Sequence, residues 1–174
     1  MIRRLTEDDL EPVIVLRREA LIDAPHAFFT SPSEDVGSDP ASLRRVLSGS
    51  SEQAIFGAWD GWLVGILGVY RQRRLKERHK AQLGRMYVHP AFRHRGHGAA
   101  LLREAIAFAR TMPGVTHLHL SVSETAQAAK RLYQRAGFVT WGAEPAGLVV
   151  AGVPVTSFHM VLLLTPEGSQ GGGE

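Results

Sequence analysis

The 174-residue chain contains no cysteine. That excludes disulfides, thiolate metal sites and a cysteine nucleophile. Nor does it have an apolar run approaching the ~20 residues of a membrane-spanning helix. Its first residues, Met1 to Leu5, turn polar too soon for a secretory signal, so a cytoplasmic location is expected. No internal repeat is visible. Lysine is scarce beside arginine, and the basic excess is small, a net charge of +3. Such a balance suits an anionic ligand without selecting one.

Apolar and charged residues stand at 44% and 21%, which fits one globular domain with a sizeable core. The expected domain covers residues 1–166. Residues 167–174, Gly-rich and with nothing to bury, are expected to be a disordered tail.

The pattern along the chain predicts the elements. Ile2 to Leu5 reads as a short strand, and Thr6 with Asp9 as the start of a helix through Leu10, Val13, Ile14, Arg17 and Leu21. Prolines, serines and Gly37 between Asp23 and Ser38 read as a loop. Asp39-Pro40 starts a second helix. Two strands, Ala54–Trp59 and Trp62–Tyr70, flank an Asp60-Gly61 turn. A basic connection, a strand at Gln82–Val88, and a helix over Gly98–Thr111 follow. Then come a strand at His117–Val122, a helix over Ala126–Ala136, and strands at Val139–Gly142 and Phe158–Leu164. The order β-α-α-β-β-β-α-β-α-β-β predicts an α/β (α+β) fold, a mixed sheet with helices on both faces. As an edge strand, Phe158–Leu164 would invite pairing, so a homodimer is expected.

The most informative segment is Arg93-His94-Arg95-Gly96-His97-Gly98, where a strand ends and a turn feeds a helix. Glycines at 96 and 98 permit positive φ and close approach of a ligand. Unpaired N–H groups at a helix start carry partial positive charge and suit a pyrophosphate. Arg93 and Arg95 add cations that pair well with phosphate oxygens. The segment is neither a dinucleotide Gly-x-Gly-x-x-Gly turn nor a Walker loop.

It resembles the signature of the GNAT acetyltransferase superfamily, Gln/Arg-x-x-Gly-x-Gly/Ala, with Arg93, Gly96 and Gly98 at the defining positions. Met86 to Pro90 resembles the preceding strand of that family. Leu120-x-Val122, Ala129, Leu132-Tyr133 and Gly137-Phe138 resemble a second conserved region. The resemblance covers nearly the whole chain. It implies a GNAT-like fold with splayed central strands and acetyl-CoA as co-substrate. It implies cofactor contacts from Met86, Val88, Arg93, His94, Arg95, Gly96, His97, Gly98, Ala99 and Tyr133, those of Met86 and Val88 through main chain. It also implies acetyl transfer to a primary amine by direct attack in a ternary complex. The Val88 N–H would steady the thioester carbonyl, and Tyr133 would protonate the departing sulfur.

The base is open. Where the family often has a glutamate this chain has Ser121, and Gln82 lies near the other such position; His119 and Glu124 are candidates, beside deprotonation through ordered water or binding of already neutral amine. Ala126 stands where the family often has asparagine, so that cofactor contact must come from elsewhere, for example Ser123 or Thr125. Glu19, His26, Phe28 and Phe29, with Asp23, lie where the family builds its acceptor site. Acidic and aromatic groups there suit a cationic amine. Two other readings are a non-catalytic acyl-CoA-binding module and a nucleic-acid-binding domain built on Arg71 to Lys80. No interleaved aromatics support the second, and no nucleic-acid or membrane partner is expected. His117-x-His119 and His94-x-x-His97 have no cysteine or acidic set beside them, and no metal is expected.

Overall fold

In the computed structural model, residues 1–164 are described; the expected tail at 167–174 lies outside them. Seven strands form one sheet: β1 (Ile2–Arg4), β2 (Gln53–Asp60), β3 (Trp62–Arg71), β4 (Lys80–Val88), β5 (His117–Ser123), β6 (Val139–Val150) and β7 (Val153–Leu163). Their order is β1-β2-β3-β4-β5-β7-β6, antiparallel except for the parallel pair β4–β5. Four α-helices cover it: α1 (Leu10–Asp23), α2 (Pro40–Leu47), α3 (His97–Thr111) and α4 (Gln127–Arg135). The α/β class and the element order agree with the sequence reading.

Strand alternation divides the core between the two faces. Leu118, Leu120 and Val122 of β5 join Leu101, Leu102 and Ala105 of α3 on one side. Ile55, Ile66 and Tyr87 join Val13, Leu16, Ala20 and Leu21 of α1 on the other. The helix starts follow local chemistry. Asp39 Oδ2 accepts from the Ser42 N–H at 2.8 Å, with Pro40 in the first turn of α2. Thr6 and Asp9 bracket a 3-10 turn rather than α1 itself, Asp9 Oδ2 accepting the Thr6 N–H at 2.9 Å.

Two expectations are corrected. The strands predicted at Val139–Gly142 and Phe158–Leu164 are the ends of a much longer hairpin, turned at Ala151-Gly152. Pro145 and Gly147 look like breakers in the sequence. They are absorbed by an irregularity between Glu144 and Leu148, where Ala146 is left-handed (φ 51°). A β-carbon at Gly147 would lie 2.7 Å from Ser157 Oγ. Pro145 is tolerated because β6 is an edge strand. By the same order, β7 lies between β5 and β6. Its pairing with a second subunit, the basis of the expected dimer, is ruled out because both its edges are occupied.

The loop predicted from Asp23 to Ser38 holds two 3-10 turns, Pro25–Ala27 and Val36–Ser38. Its anchor is a buried ion pair. Arg17 Nε and Nη2 donate to Asp35 Oδ2 and Oδ1 at 2.8 and 2.6 Å, with side chains 7% and 3% exposed.

Candidate active site

β4 and β5 pair only at Lys80–Gln82 against His117–His119. Beyond Gln82 and His119 they part. The cause lies in β4. Gly68 faces Gly84 and Ile66 faces Tyr87, so β4 carries an extra residue there, a bulge. Arg85 within it is left-handed, φ 62°. A bulge bends its strand and breaks the regular ladder. The backbone of Arg85 to Val88 on its β5 side, and that of β5 above His119, are therefore left without each other as ladder partners. This is a slot with polar walls, shaped for an extended chain that pairs as a strand would.

The upper end of the slot is the arginine–glycine turn. His94 (φ 63°) and Gly96 (φ 83°) are both left-handed, and Gly96 is the N-cap of α3. Alternation of right- and left-handed residues turns successive N–H groups inward, making an anion-binding concavity. The first N–H groups of α3, from His97 to Ala99, have no partner within the helix. A β-carbon at Gly98 would meet Leu132 Cδ2 and Met86 Cε, each at 3.3 Å, so glycine sets the spacing of α3 from α4 and β4.

The side chains of the turn are engaged elsewhere. Arg93 Nε donates to the Val88 carbonyl at 2.9 Å and its Nη2 to Asp23 Oδ2 at 2.7 Å. Arg95 lies over Phe92, 4.8 Å from the ring centroid, and 3.6 Å from Asp60 Oδ2. His97 Nε2 is likewise 3.6 Å from Asp60. His94 and Ala99 are exposed. Arg93 thus ties the end of β4 to the end of α1.

At Gly96 there is open space for a β-carbon, so replacement costs only backbone strain. Gly96→Val should force a β-branched residue to hold φ 83°, an outlier for such side chains. The expected result is about a tenfold loss of acetyl-CoA affinity by calorimetry, equivalent to the ~1–2 kcal/mol cost of the left-handed region.

Tyr133 of α4 is buried, 5% exposed, with its ring 5.9 Å from that of Phe138 in an edge-on arrangement. Burial pushes its phenol well above the ordinary value. It is a protonated donor at neutral pH. Tyr87 lies on the opposite face, its hydroxyl donating to Asp23 Oδ2 at 3.2 Å. Burial, and then the charge of Asp23, pushes it up to about 12. The third tyrosine, Tyr70, is also raised by burial. Ultraviolet titration of the folded protein should therefore show well under half of the tyrosines as phenolate at pH 10, where an ordinary phenol is half ionised, since Tyr87 and Tyr133 stay protonated. Raised folded-state values stabilise below the unfolded value, so stability is lost as pH rises from 10 through about 12. Half of the tyrosines ionised at pH 10 without unfolding would contradict these environments.

The remaining candidates separate. His119 sits at the fork of β4 and β5; burial, then Lys80 and neighbouring histidines, lower its pKa, and its Nε2 is buried with no partner among the described residues. Glu124 lies beyond β5, and its carboxylate accepts the Thr156 N–H at 2.7 Å, which braces β7. Glu19 and Asp23 are exposed near Tyr87. His26 lies on the Pro25–Ala27 turn, which crosses β5 and β6, and its Nδ1 is buried. Phe28 is buried and Phe29 exposed at 61%. Ala126 N donates to the Ser123 carbonyl, and the Ser123 and Thr125 hydroxyls bond each other at 2.9 Å.

Sequence reasoning passed over three features. Arg85 has a buried Nη1 with no partner among the described residues and lines a cavity of about 660 Å³ with Tyr70, Arg73 and Gln53. Asp23 joins Tyr87 and Arg93. Ser121, His159 and Glu144 form a hydrogen-bonded chain across three strands. None has a local sequence signal, since each depends on contacts between distant segments.

The candidate site comprises a splayed β4–β5 slot, a turn with two left-handed residues at its top and a buried tyrosine on α4. The family model described as the Acetyltransferase (GNAT) family matches residues 18–138. The chain belongs to the GNAT acetyltransferase family. Solved GNAT structures align over nearly its full length. The GCN5-related N-acetyltransferase from Kribbella flavida is 26% identical with a TM-score of 0.80, covering 94% of this chain and 97% of that one. The GNAT-family acetyltransferase from Streptococcus pneumoniae is 24% identical with a TM-score of 0.84, covering 94% and 99%. The GNAT phosphinothricin acetyltransferase from Sinorhizobium meliloti, solved in complex with acetyl-CoA, is 18% identical with a TM-score of 0.82, covering 100% and 93%. Among curated proteins no sequence match is found. The GNAT fold accounts for the strand order and the splay together. Among the described residues no helix is long and apolar enough to cross a membrane, and no three acidic or histidine side chains converge as metal ligands do.

Proposed function

We infer that this GNAT protein transfers the acetyl group of acetyl-CoA to a primary amine, by direct attack in a ternary complex. The observation that carries the reading is the β4–β5 slot, open above Gln82 and His119 and capped by the Arg93–Gly98 turn. The pyrophosphate would rest on main-chain N–H groups from Gly96 to Ala99. The pantetheine arm would pair with the main chain of Met86 and Val88, and the Val88 N–H would donate to the thioester carbonyl. Such a donor, fixed before the reaction, favours the oxyanion of the tetrahedral adduct over the neutral carbonyl. Tyr133, uncharged and buried, would give its proton to the leaving sulfur.

The amine would approach from the α1 face, where Glu19 and Asp23 attract a cation and Tyr87 lines the wall. No nucleophile on the enzyme is needed. A cytoplasmic location remains part of the reading. So does a homodimer, with the exposed edge strand β6, bearing Trp141 and Val149, replacing β7 as its basis.

Coenzyme A thiol release, followed across amines, amino acids and peptides, tests the reading. Release that requires an amine is expected, with initial-rate lines that intersect when both substrates are varied. Parallel lines would indicate a covalent acetyl-enzyme and overturn direct attack. Acetyl-CoA binding without release for any amine would favour the non-catalytic module.

A further inference from the structure

Three adjacent strands place a serine, a histidine and a glutamate in one hydrogen-bonded row. Ser121 of β5 lies opposite His159 of β7, which lies opposite Gly142 beside Glu144 on β6. Ser121 Oγ is 2.9 Å from His159 Nδ1, and His159 Nε2 is 3.1 Å from Glu144 Oε2. The Trp141 ring stacks on the imidazole, centroids 5.4 Å apart and planes at 29°. The imidazole is held at both nitrogens and on one face.

The hydrogen bonds fix the tautomer. A carboxylate only accepts, so Nε2 carries the hydrogen and donates to Glu144. Nδ1 then has a free lone pair, and the Ser121 hydroxyl must be the donor. This polarises the serine oxygen toward accepting a proton from elsewhere, the logic by which a histidine and a carboxylate act together on a hydroxyl.

The position of Ser121 gives this polarity a use. His119 is the last β5 residue paired with β4. Ser121 is the next residue on the same face, and it stands just above the fork of the slot. That face is the one opposite α3, because Leu118, Leu120 and Met160 point into the α3 core. It is also the face carrying α1 and the Pro25–Ala27 turn, where the amine is expected to enter.

We propose that Ser121, His159 and Glu144 form the base that deprotonates the acceptor amine. The proposal rests on the acetyl-transfer reading above. The ammonium gives a proton to Ser121 Oγ as the Ser121 proton passes to His159 Nδ1. The imidazolium is held by Glu144. The freed nitrogen lone pair forms the C–N bond, the C–S bond breaks, and sulfur takes its proton from Tyr133. The adduct nitrogen loses its second proton, which reaches the Tyr133 phenolate by way of water and restores the acid. His159 returns its proton to water, to which its side chain is 27% exposed. Ser121 touches the substrate; Glu144 is a positioning residue. The other titratable groups facing this row are His119, whose ring is 6.4 Å from Trp141, and His26 on the turn above β5 and β6.

The test is the pH dependence of kcat/KM for coenzyme A release in wild type, Ser121→Ala, His159→Gln and Glu144→Gln. His159→Gln should lower kcat/KM at neutral pH by about 100-fold. Activity of this variant should recover as pH rises and the amine deprotonates unaided. Glu144→Gln should lower kcat/KM less than His159→Gln, since the imidazole stays and only the group that orients it is lost. KM for acetyl-CoA should not move in either variant. An active wild type whose profile is unchanged by His159→Gln overturns this proposal and leaves acetyl transfer standing. A wild type inactive with every amine overturns both. Nitrogen-15 NMR of the wild-type histidines supplies a readout independent of activity and of variant folding. The Nε2–H tautomer of His159 is expected, and the Nδ1–H tautomer overturns the proposal.

Discussion

Tyr133→Phe is expected to lower kcat by about 10²–10⁴-fold, the span typical of a lost general acid, and to leave acetyl-CoA binding nearly unchanged. The ring stays, so its contact with Phe138 and the packing of α4 stay with it. Only the hydroxyl is removed. That group makes no hydrogen bond to another described residue, so its loss strands no protein partner. A purely structural tyrosine at this position would therefore tolerate phenylalanine well. The expected signature is a fall in kcat and kcat/KM together, which marks an interaction made in the transition state rather than on binding. The effect should shrink with thioesters whose thiol is more acidic, since a better leaving group needs less help. A variant with wild-type kcat would remove Tyr133 from the mechanism and leave the cofactor turn untouched.

Asp35→Ala is expected to cost about 3–5 kcal/mol of stability, the usual result of removing one partner of a buried ion pair. Arg17 would remain inside the protein, with its side chain only 7% exposed and no counter-charge. Its Nη1 already lacks a partner among the described residues. Losing Asp35 would strand Nε and Nη2 as well. The Phe28 ring, 6.0 Å from the guanidinium carbon, is a poor substitute. Replacing both members, Arg17→Met with Asp35→Ala, should be far milder than Asp35→Ala alone, because no charge is then left buried. Thermal melts of the single and double variants check this directly.

The pair also gives a pH dependence. Burial pushes the Asp35 carboxyl up, but hydrogen bonds from Arg17 and Ser38 and the Arg17 charge outweigh it and hold it below the usual carboxylate range. A carboxyl lowered by folding stabilises above its unfolded value near ~3.9, and that share is lost as pH falls through the folded value. Asp35→Asn should flatten the acid side of the stability curve.

Local signals made much of this molecule legible. Asp39-Pro40, Asp60-Gly61 and the Arg93–Gly98 segment each fix their own backbone, since capping, turn and left-handed geometry depend on residues close in sequence. What escaped depends on register. The bulge at Arg85 that opens the slot is set by how β3 and β4 pair, and neither strand announces it. Proline and glycine commonly end strands, yet the edge position of β6 absorbs Pro145 and Gly147. Arg17 sits at a helical core spacing, and its partner Asp35 is drawn from a loop that gives no hint of it. Ser121 stands where the family resemblance leads one to expect a glutamate. Its row with His159 and Glu144 exists only because β5, β7 and β6 lie side by side, an order that no sequence periodicity encodes.

The role proposed for the slot and its turn is acetyl transfer to an amine. The most direct measurement is mass spectrometry of an amine panel incubated with the protein and acetyl-CoA labelled in the acetyl group. The account predicts label in an amide of at least one amine, formed in step with free coenzyme A and lost in Tyr133→Phe. Label found only in free acetate, or coenzyme A released at the same rate with and without amine, would contradict it.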